Sequence, residues 1–392
     1  VQSLARRLEN GGVFSCAGIT EAARPFVAAL IARLFPHRPI VVVTDLLKTQ
    51  ESFQQDLETW ASHGSAPGDP PSFQPLFYPA WEVLPHENKL PHSDNITDRL
   101  QTLLTLANHS ENSNRKSETS IRSPLVVASV TALLQKTFSP AALKSRMRTL
   151  TRGERIDPLD LVEWLEEQGY EPEAQVTQKG ELALRGGILD LFPLTSPWPV
   201  RLEFFGDELE SLRYFDPQTQ ISREEITTVT LPPAGELSIL KNEQERAVDA
   251  ASPQPEGGAP LATLLEFLPN DTIFILCEPE SLAALADEYA QQVPSNDPFS
   301  ISWPEFRDNA SAQGKTFLEL SEAAEEGNES DCLDLTGLDA YRPVAERAPD
   351  PQIAEVQRRE FFAQLHRWVR QDYSVHVFCN NDGEQQRFLE IW

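Results

Sequence analysis

The chain has 392 residues, 40% of them hydrophobic, and 60 acidic against 33 basic side chains, a formal net charge of -27. Its length suits about two to three domains with sizeable cores, and its charge argues against a primary role in gripping nucleic acid, whose affinity rests on phosphates neutralised. Four scattered cysteines (Cys16, Cys277, Cys332, Cys379) with no CxxC pair read as free thiols of a reducing cytosol rather than a disulfide framework or metal site, and no apolar run approaches the ~18 residues of a membrane span.

In chain order, Val13–Cys16 is a short apolar run followed by Gly18 and a helix from about Thr20, with Ile19, Ala22, Phe26, Leu30 and Leu34 at helical spacing. Ile40–Thr44 (IVVVT) reads as a buried strand, and Leu46, Phe53, Leu57 and Trp60 mark the next helix. Leu76–Tyr78 and Leu125–Val130 (LVVASV) are further apolar stretches. Alternation of strand and helix predicts a parallel α/β domain over residues 1–148. The polar run Ser110–Ser123 reads as a mobile loop within it. At Asp157-Pro158 an N-cap and an N1 proline start a helix that Gly169 closes. A β-rich stretch follows and ends at Ile226–Leu231 and Pro232-Pro233, which makes residues 149–232 a small inserted domain.

Beyond the insertion, Ser252–Pro260 reads as a loop, Thr272–Cys277 as a buried strand and Ser281–Val293 as an amphipathic helix. Residues 233–310 can return to the first α/β domain, which is then discontinuous. Residues 311–392 read as an acidic linker (Glu322–Asp331) and the start of a further α/β unit: a helix over about Ile353–Tyr373, a strand at Val375–Cys379 and a helix from about Glu384. The chain opens at Val1 and closes on the helix-like RFLEIW, so it reads as a piece of a longer protein, with targeting at the true N-terminus left open.

The densest pattern runs from Arg185 to Asp216, RGGILDLFPLTSPWPVRLEFFGDELESLRYFD. It predicts three short strands, Ile188–Phe192, Val200–Phe205 and Leu209–Phe215, with the turn Gly206-Asp207 between the last two. Strand alternation puts Leu202 and Phe204 on one face and Arg201, Glu203 and Phe205 on the other. An exposed aromatic beside an arginine is the make-up of a protein-binding hot spot. An ordinary surface hairpin carries the same pattern, since single exposed apolar residues are common.

Chemistry is harder to find. A phosphate-binding loop needs G-x-x-x-x-G-K-[ST], whose glycines bring backbone N–H groups to the phosphates. The loop Ser15–Arg24 has one glycine and no lysine, with Glu21 where an anion would sit. Gly314-Lys315-Thr316 has Asn309 where the first glycine belongs and reads as a chance tripeptide. No acid/base pair emerges from Glu203, Asp207, Glu208 and Glu210. His86 and His92 lack further ligands for a metal. Tyr78 and Trp81 can stack on a base or form an aromatic cover over a core.

RGGILDLFPLTSPWPVRLEFFGDELESLRYFDPQTQ resembles the segment shared by the bacterial excision-repair protein UvrB and the transcription-repair coupling factors (Mfd). It meets R-G-x-[ILV]-[ILV]-[DE]-[IL]-F-P and R-[ILV]-[DE]-F-F-x-D-E-[IL]-[DE]-x-[IL]-R at nearly every place. FYPAWEVLPHENKLPHSDNITDRLQTL and LVVASVTALLQKT are similar to the coupling factors, whereas the full phosphate loop and long aromatic hairpin expected of UvrB are missing. The resemblance covers about residues 10–235 and weakens toward 310. It implies a UvrB-like α/β domain with a degenerate phosphate loop, discontinuous around an inserted, β-rich α+β domain that binds the damage-recognition protein UvrA. The contact residues it implies are Arg185, Arg201, Phe205 and Asp207, assisted by Arg213. It implies no catalytic, cofactor or metal residue in this chain; ATP and magnesium would belong to a translocase motor beyond Trp392. Contacts with RNA polymerase and DNA would lie in that outer part, whose C-terminal domain would partly mask the UvrA site. The alternatives are a UvrB-like DNA-dependent ATPase and a damaged-DNA-binding module using Tyr78, Trp81 and Arg115-Lys116.

Overall fold

The continuous apolar runs form a parallel sheet buried on both faces, as their composition requires. A computed structural model describes residues 2–62, 73–114, 123–249, 261–323, 335 and 351–392. In it, six strands lie in the order Val13–Cys16, Thr316–Leu320, Ile273–Cys277, Ile40–Thr44, Leu125–Ser129, Pro75–Tyr78, every neighbouring pair parallel. Side chains alternate between two cores. Val41, Val43, Val126, Ala128, Phe274, Leu276 and Phe317 pack with helices Ser93–Asn114, Pro279–Gln292 and Trp303–Ala312. Ile40, Val42, Leu125, Val127, Ile273, Ile275 and Leu318 pack with helices Gln2–Glu9, Arg24–Leu34 and Leu47–Ser62.

The sheet takes in Thr316–Leu320, between the first strand and Ile273–Cys277, although the sequence placed this stretch in the segment after residue 310. The charge within this interior strand is accommodated: the Glu319 carboxylate is held by Arg307 at 2.9 Å and by the Ser15 hydroxyl at 3.0 Å. Three other expectations shift. The helix expected from about Thr20 begins with a 3-10 turn, Glu21–Ala23, and its α-helical part starts at Arg24 with Pro25 in the first turn. The helix Ser93–Asn114 runs into the stretch expected to be a loop, whose remainder lies outside the described residues, as do Arg115-Lys116, Cys332, Ser252–Pro260 and most of the acidic run. Val375–Cys379 is not a strand: it lies between helices Pro351–Arg370 and Asp382–Ile391 with no sheet partner among the described residues. Without a neighbour to take its backbone hydrogen bonds, β-favouring composition alone does not make a strand.

The second sheet lies within the insertion. Its order is Ser222–Ile226, Glu208–Phe215, Val200–Phe205, Ile188–Leu191, Glu181–Arg185, Glu171–Pro172, antiparallel but for the last pair. One face, with Leu182, Leu189, Leu202, Leu209 and Leu212, packs on Leu161 and Leu165 of the helix Pro158–Glu167. Asp157 caps that helix, its side chain accepting from Leu159 N at 2.8 Å. The ribbon Arg148–Thr151 with Thr228–Leu231 closes the insertion at its two chain ends. The α/β sheet and a separate β-rich unit are thus the architecture that composition and alternation imply.

Candidate protein-docking site

The outward face of the second sheet carries the residues singled out by sequence. Register places them in rows. Arg185 pairs with Ile188, Ile188 with Glu203, and Glu203 with Ser211. In the next row Asp190 lies opposite Arg201, Arg201 opposite Arg213, and Arg213 opposite Glu225. A bulge between Glu203 and Phe204 absorbs Glu210, so Phe204 still meets Leu209 in the core and Phe205 still meets Glu208 outside. Arg201, Glu203 and Phe205 therefore share the outward face.

Phe205 is 79% exposed. It ends its strand at a two-residue turn whose first residue, Gly206, has φ +64°, a hairpin conformation that favours glycine. Beside it, the turn Gly186-Gly187 joins Arg185 to Ile188 and leaves the ring uncovered. Phe204 N donates to Gly187 O at 2.7 Å, and a Cβ at Gly187 would stand 2.8 Å from Phe204 O. The double glycine of the motif is thus the backbone seat of the Phe204-Phe205 strand end.

The arginines are not equivalent. Arg201 makes a two-pronged pair with Asp190, Nε to Oδ1 at 2.7 Å and Nη2 to Oδ2 at 2.9 Å, and its side chain is only 17% exposed. Its guanidinium also lies 4.7 Å from the Phe215 ring centroid. The hydrogen bond that Arg201 donates to Asp190, acting against partial desolvation, raises the Arg201 pKa above its ordinary value. Arg185 reaches the same carboxylate with Nη2 alone, at 3.2 Å, and stays 54% exposed. Arg213 donates to Glu203 at 3.0 Å and to the Ser211 hydroxyl at 3.1 Å. Asp207 is exposed at the turn, its carbonyl accepting from Ile156 N at 2.7 Å and its carboxylate 4.0 Å from Arg155.

Two further residues belong to this face, Asp190 and Arg155. Arg155 bridges to Glu208 from the far side of the hairpin, which puts it in one row with Phe205. Asp190 could have been suspected from sequence, since an acid in the apolar strand ILDLF needs a buried partner. Arg155 gave no such signal. Charge on the face is nearly balanced, and a positive excess is confined to the Arg185 side, where two guanidiniums share one carboxylate.

Other candidates are drawn into the core. Tyr78 and Trp81 are buried, with the Arg99 guanidinium 4.4 and 4.7 Å from their ring centroids, so neither ring is open to a base. Lys315 is buried, and its Nζ donates to Leu268 O at 2.6 Å and Pro269 O at 2.7 Å, away from the strand ends where a phosphate would sit. Burial pushes its pKa down to about 8. His92 lies 3.5 Å from Asp94, and among the described residues no group of three His, Cys, Asp or Glu could hold a metal ion. At the C-terminal ends of the parallel strands, where open α/β sheets take ligands, a cleft of about 570 Å³ is lined by Glu21, Arg24, Asp45, Cys277, Glu278 and Glu322. Its one guanidinium, Arg24, is paired with Glu278. No described helix is long and apolar enough to cross a membrane.

The sheet, its helix and its closing ribbon coincide with a known domain. Residues 149–237 match the family model described as the UvrB interaction domain. The segment is thus similar to a UvrB interaction domain. Around it, the chain is similar to proteins named transcription-repair-coupling factor, as the motif implied. It is 28% identical to that of Escherichia coli over 298 residues, 74% of this chain and 23% of that protein. Against the Mycobacterium bovis protein it is 32% identical over 320 residues, 76% of this chain and 24% of that protein, and against the Bacillus subtilis protein 30% over 233 residues, 59% and 18%. The chain spans about a quarter or less of the length of these relatives.

Proposed function

We propose that this chain is the UvrA-recruiting, N-terminal part of a cytoplasmic transcription-repair coupling factor, a non-catalytic module that brings the excision-repair machinery to stalled RNA polymerase. The observation that carries this reading is Phe205, exposed on the outward face of a UvrB-interaction-like domain, with Arg185 on the same face two strands away. An aromatic anchor sharing one face with a partly free arginine supports a hot spot, and Arg185 has unused N–H groups for charge-assisted bonds to an acidic partner group. Arg201, Asp207 and Arg213 complete the proposed UvrA site, Arg201 as a fixed base rather than a free hand. The domain divisions at residues 148 and 232 belong to this proposal, with the second α/β part extended past 310 to take in Thr316–Leu320, as does masking of the site by the parent's own C-terminal domain. ATP, magnesium, polymerase and DNA are assigned to the parent's other parts.

The non-catalytic reading is supported by the cleft at the strand ends: four carboxylates face one already paired arginine, a poor setting for phosphates. Titration with a fluorescent ATP analogue is expected to give no saturable binding; micromolar binding revives the ATPase reading. The docking reading is tested by co-elution with purified UvrA. Phe205→Ala with Arg185→Ala is expected to abolish it while the circular-dichroism melt stays in place; binding retained by that folded variant removes the site. Arg201→Glu is a poor probe, because it would set a second carboxylate against buried Asp190.

A further inference from the structure

We infer that Asp190 is the positioning residue of the docking face, acting on the partner through Arg185. This inference rests on the docking reading above. The Asp190 carboxylate is 1% exposed, so it cannot itself meet a partner. It stands directly opposite Arg201 in the ladder and accepts from two guanidiniums at once, with both oxygens occupied by Arg201 and one shared with Arg185. All three nitrogens of Arg201 are engaged, the third with Gln220 O at 3.4 Å, and its ring contact with Phe215 fixes the plane. Arg201 therefore has little left to offer a partner. Arg185 is tethered by Nη2 alone and keeps Nε and Nη1 for an incoming acceptor.

One carboxylate between two cations does two things. It cancels the repulsion that would otherwise drive Arg185 away from Arg201, and it confines a long side chain to one arrangement before binding. Ordering a flexible side chain in advance removes part of the entropic cost of association. The backbone supports the same geometry: Arg185 precedes the Gly186-Gly187 turn, and Gly187 O accepts from Phe204 N, so Arg185 and Phe205 ride on strands held by that one turn. The partner group that fits is a carboxylate adjoining an apolar pocket.

The test is a double-mutant cycle read as affinity for purified UvrA, with circular dichroism to verify folding. Asp190→Asn keeps shape and loses charge and one acceptor. It is expected to weaken binding by about tenfold in the otherwise native chain, in line with loss of a charge-assisted contact. In an Arg185→Ala background the same change is expected to cost less than about twofold, because the group it positions is gone. Arg201→Lys keeps the charge, removes the two-pronged pair and serves as the second variant if Asp190→Asn does not fold; it is expected to show the same dependence on Arg185. A loss of equal size in both backgrounds, or no loss in either, overturns the inference. Undiminished binding by Phe205→Ala and Arg185→Ala instead overturns the docking reading on which it rests.

Discussion

Arg99 and Glu236, 137 positions apart, meet with both side chains fully buried: Arg99 Nε donates to Glu236 Oε2 at 2.8 Å and Nη2 to Oε1 at 3.1 Å. Trp81 Nε1 donates to the same carboxylate at 2.9 Å, and Arg99 Nη1 donates to Pro79 O at 2.9 Å. Burial is the largest single influence and opposes the Arg99 charge, but Glu236, Tyr78 and Tyr289 together outweigh it and leave the pKa raised. Glu236 stands at the C-terminal end of the matched segment, just after the stretch where Gln168 O accepts from Ala234 N and Gly235 N, and Tyr170 donates to Pro232 O. The pair thus fastens the exit of the insertion to the α/β domain.

Removing one partner leaves a buried charge with no counterion. Glu236→Ala is expected to lower the unfolding free energy by about 3–5 kcal/mol, measured by urea denaturation followed by tryptophan fluorescence. The paired replacement Arg99→Met with Glu236→Leu is expected to cost clearly less. Equal losses would show that packing around the pair, not its charge, carries the junction.

The hairpin tip should separate binding from stability. Phe205 touches little of its own domain, so Phe205→Ala is expected to change unfolding free energy by no more than about 0.5 kcal/mol. The same change is expected to reduce affinity for UvrA by about 2 kcal/mol or more, read by calorimetric titration. A drop in the melt equal to that of a core truncation would mean the ring is structural.

The double glycine makes a graded prediction. Gly186→Ala puts a side chain at φ +62° in open space and is expected to cost about 1–2 kcal/mol. Gly187→Ala drives a Cβ against the Phe204 carbonyl and is expected to cost about 1–3 kcal/mol, and also to weaken UvrA binding, since Phe205 rides on the displaced strand. Thermal melts and binding of the two variants, compared side by side, check the order; Gly186→Ala having the larger effect on binding would contradict it.

Thiol reactivity follows from burial. Desolvation pushes the Cys277 pKa up to about 12, with Arg24 only partly opposing it. A raised thiol pKa means that at pH 8 the group stays protonated and unreactive. Iodoacetamide at that pH is expected to modify Cys379, which is partly exposed, and to spare Cys277 and buried Cys16 until the chain is unfolded. Mass spectrometry of peptides reads the result; prompt alkylation of Cys277 in the folded protein would refute its burial.

Much of this fold is legible in the chain. IVVVT, LVVAS and IFILC are apolar on both faces, and only a sheet covered on both sides accepts such runs. The alternation in RLEFF puts Arg201, Glu203 and Phe205 on one face, because a strand's period is two. Thr316–Leu320 is not assigned by the sequence, because a short run carrying Glu319 shows its sheet neighbours only once remote strands pack against it. Val375–Cys379 was over-read, since strand composition says nothing of whether a partner strand is at hand.

For the docking face, sequence alone determined the three-strand motif, its turn residues and which side each residue faces. These follow from local rules: side-chain period, the conformations open to glycine, and the charge and size of each residue. Tertiary structure alone decided how the charges are shared. Register across strands set Asp190 between Arg185 and Arg201, brought Arg155 into line with Phe205, and turned Tyr78 and Trp81 inward onto Arg99. Electrostatic pairing depends on distances between residues remote in the chain, and only the packed strands fix those distances.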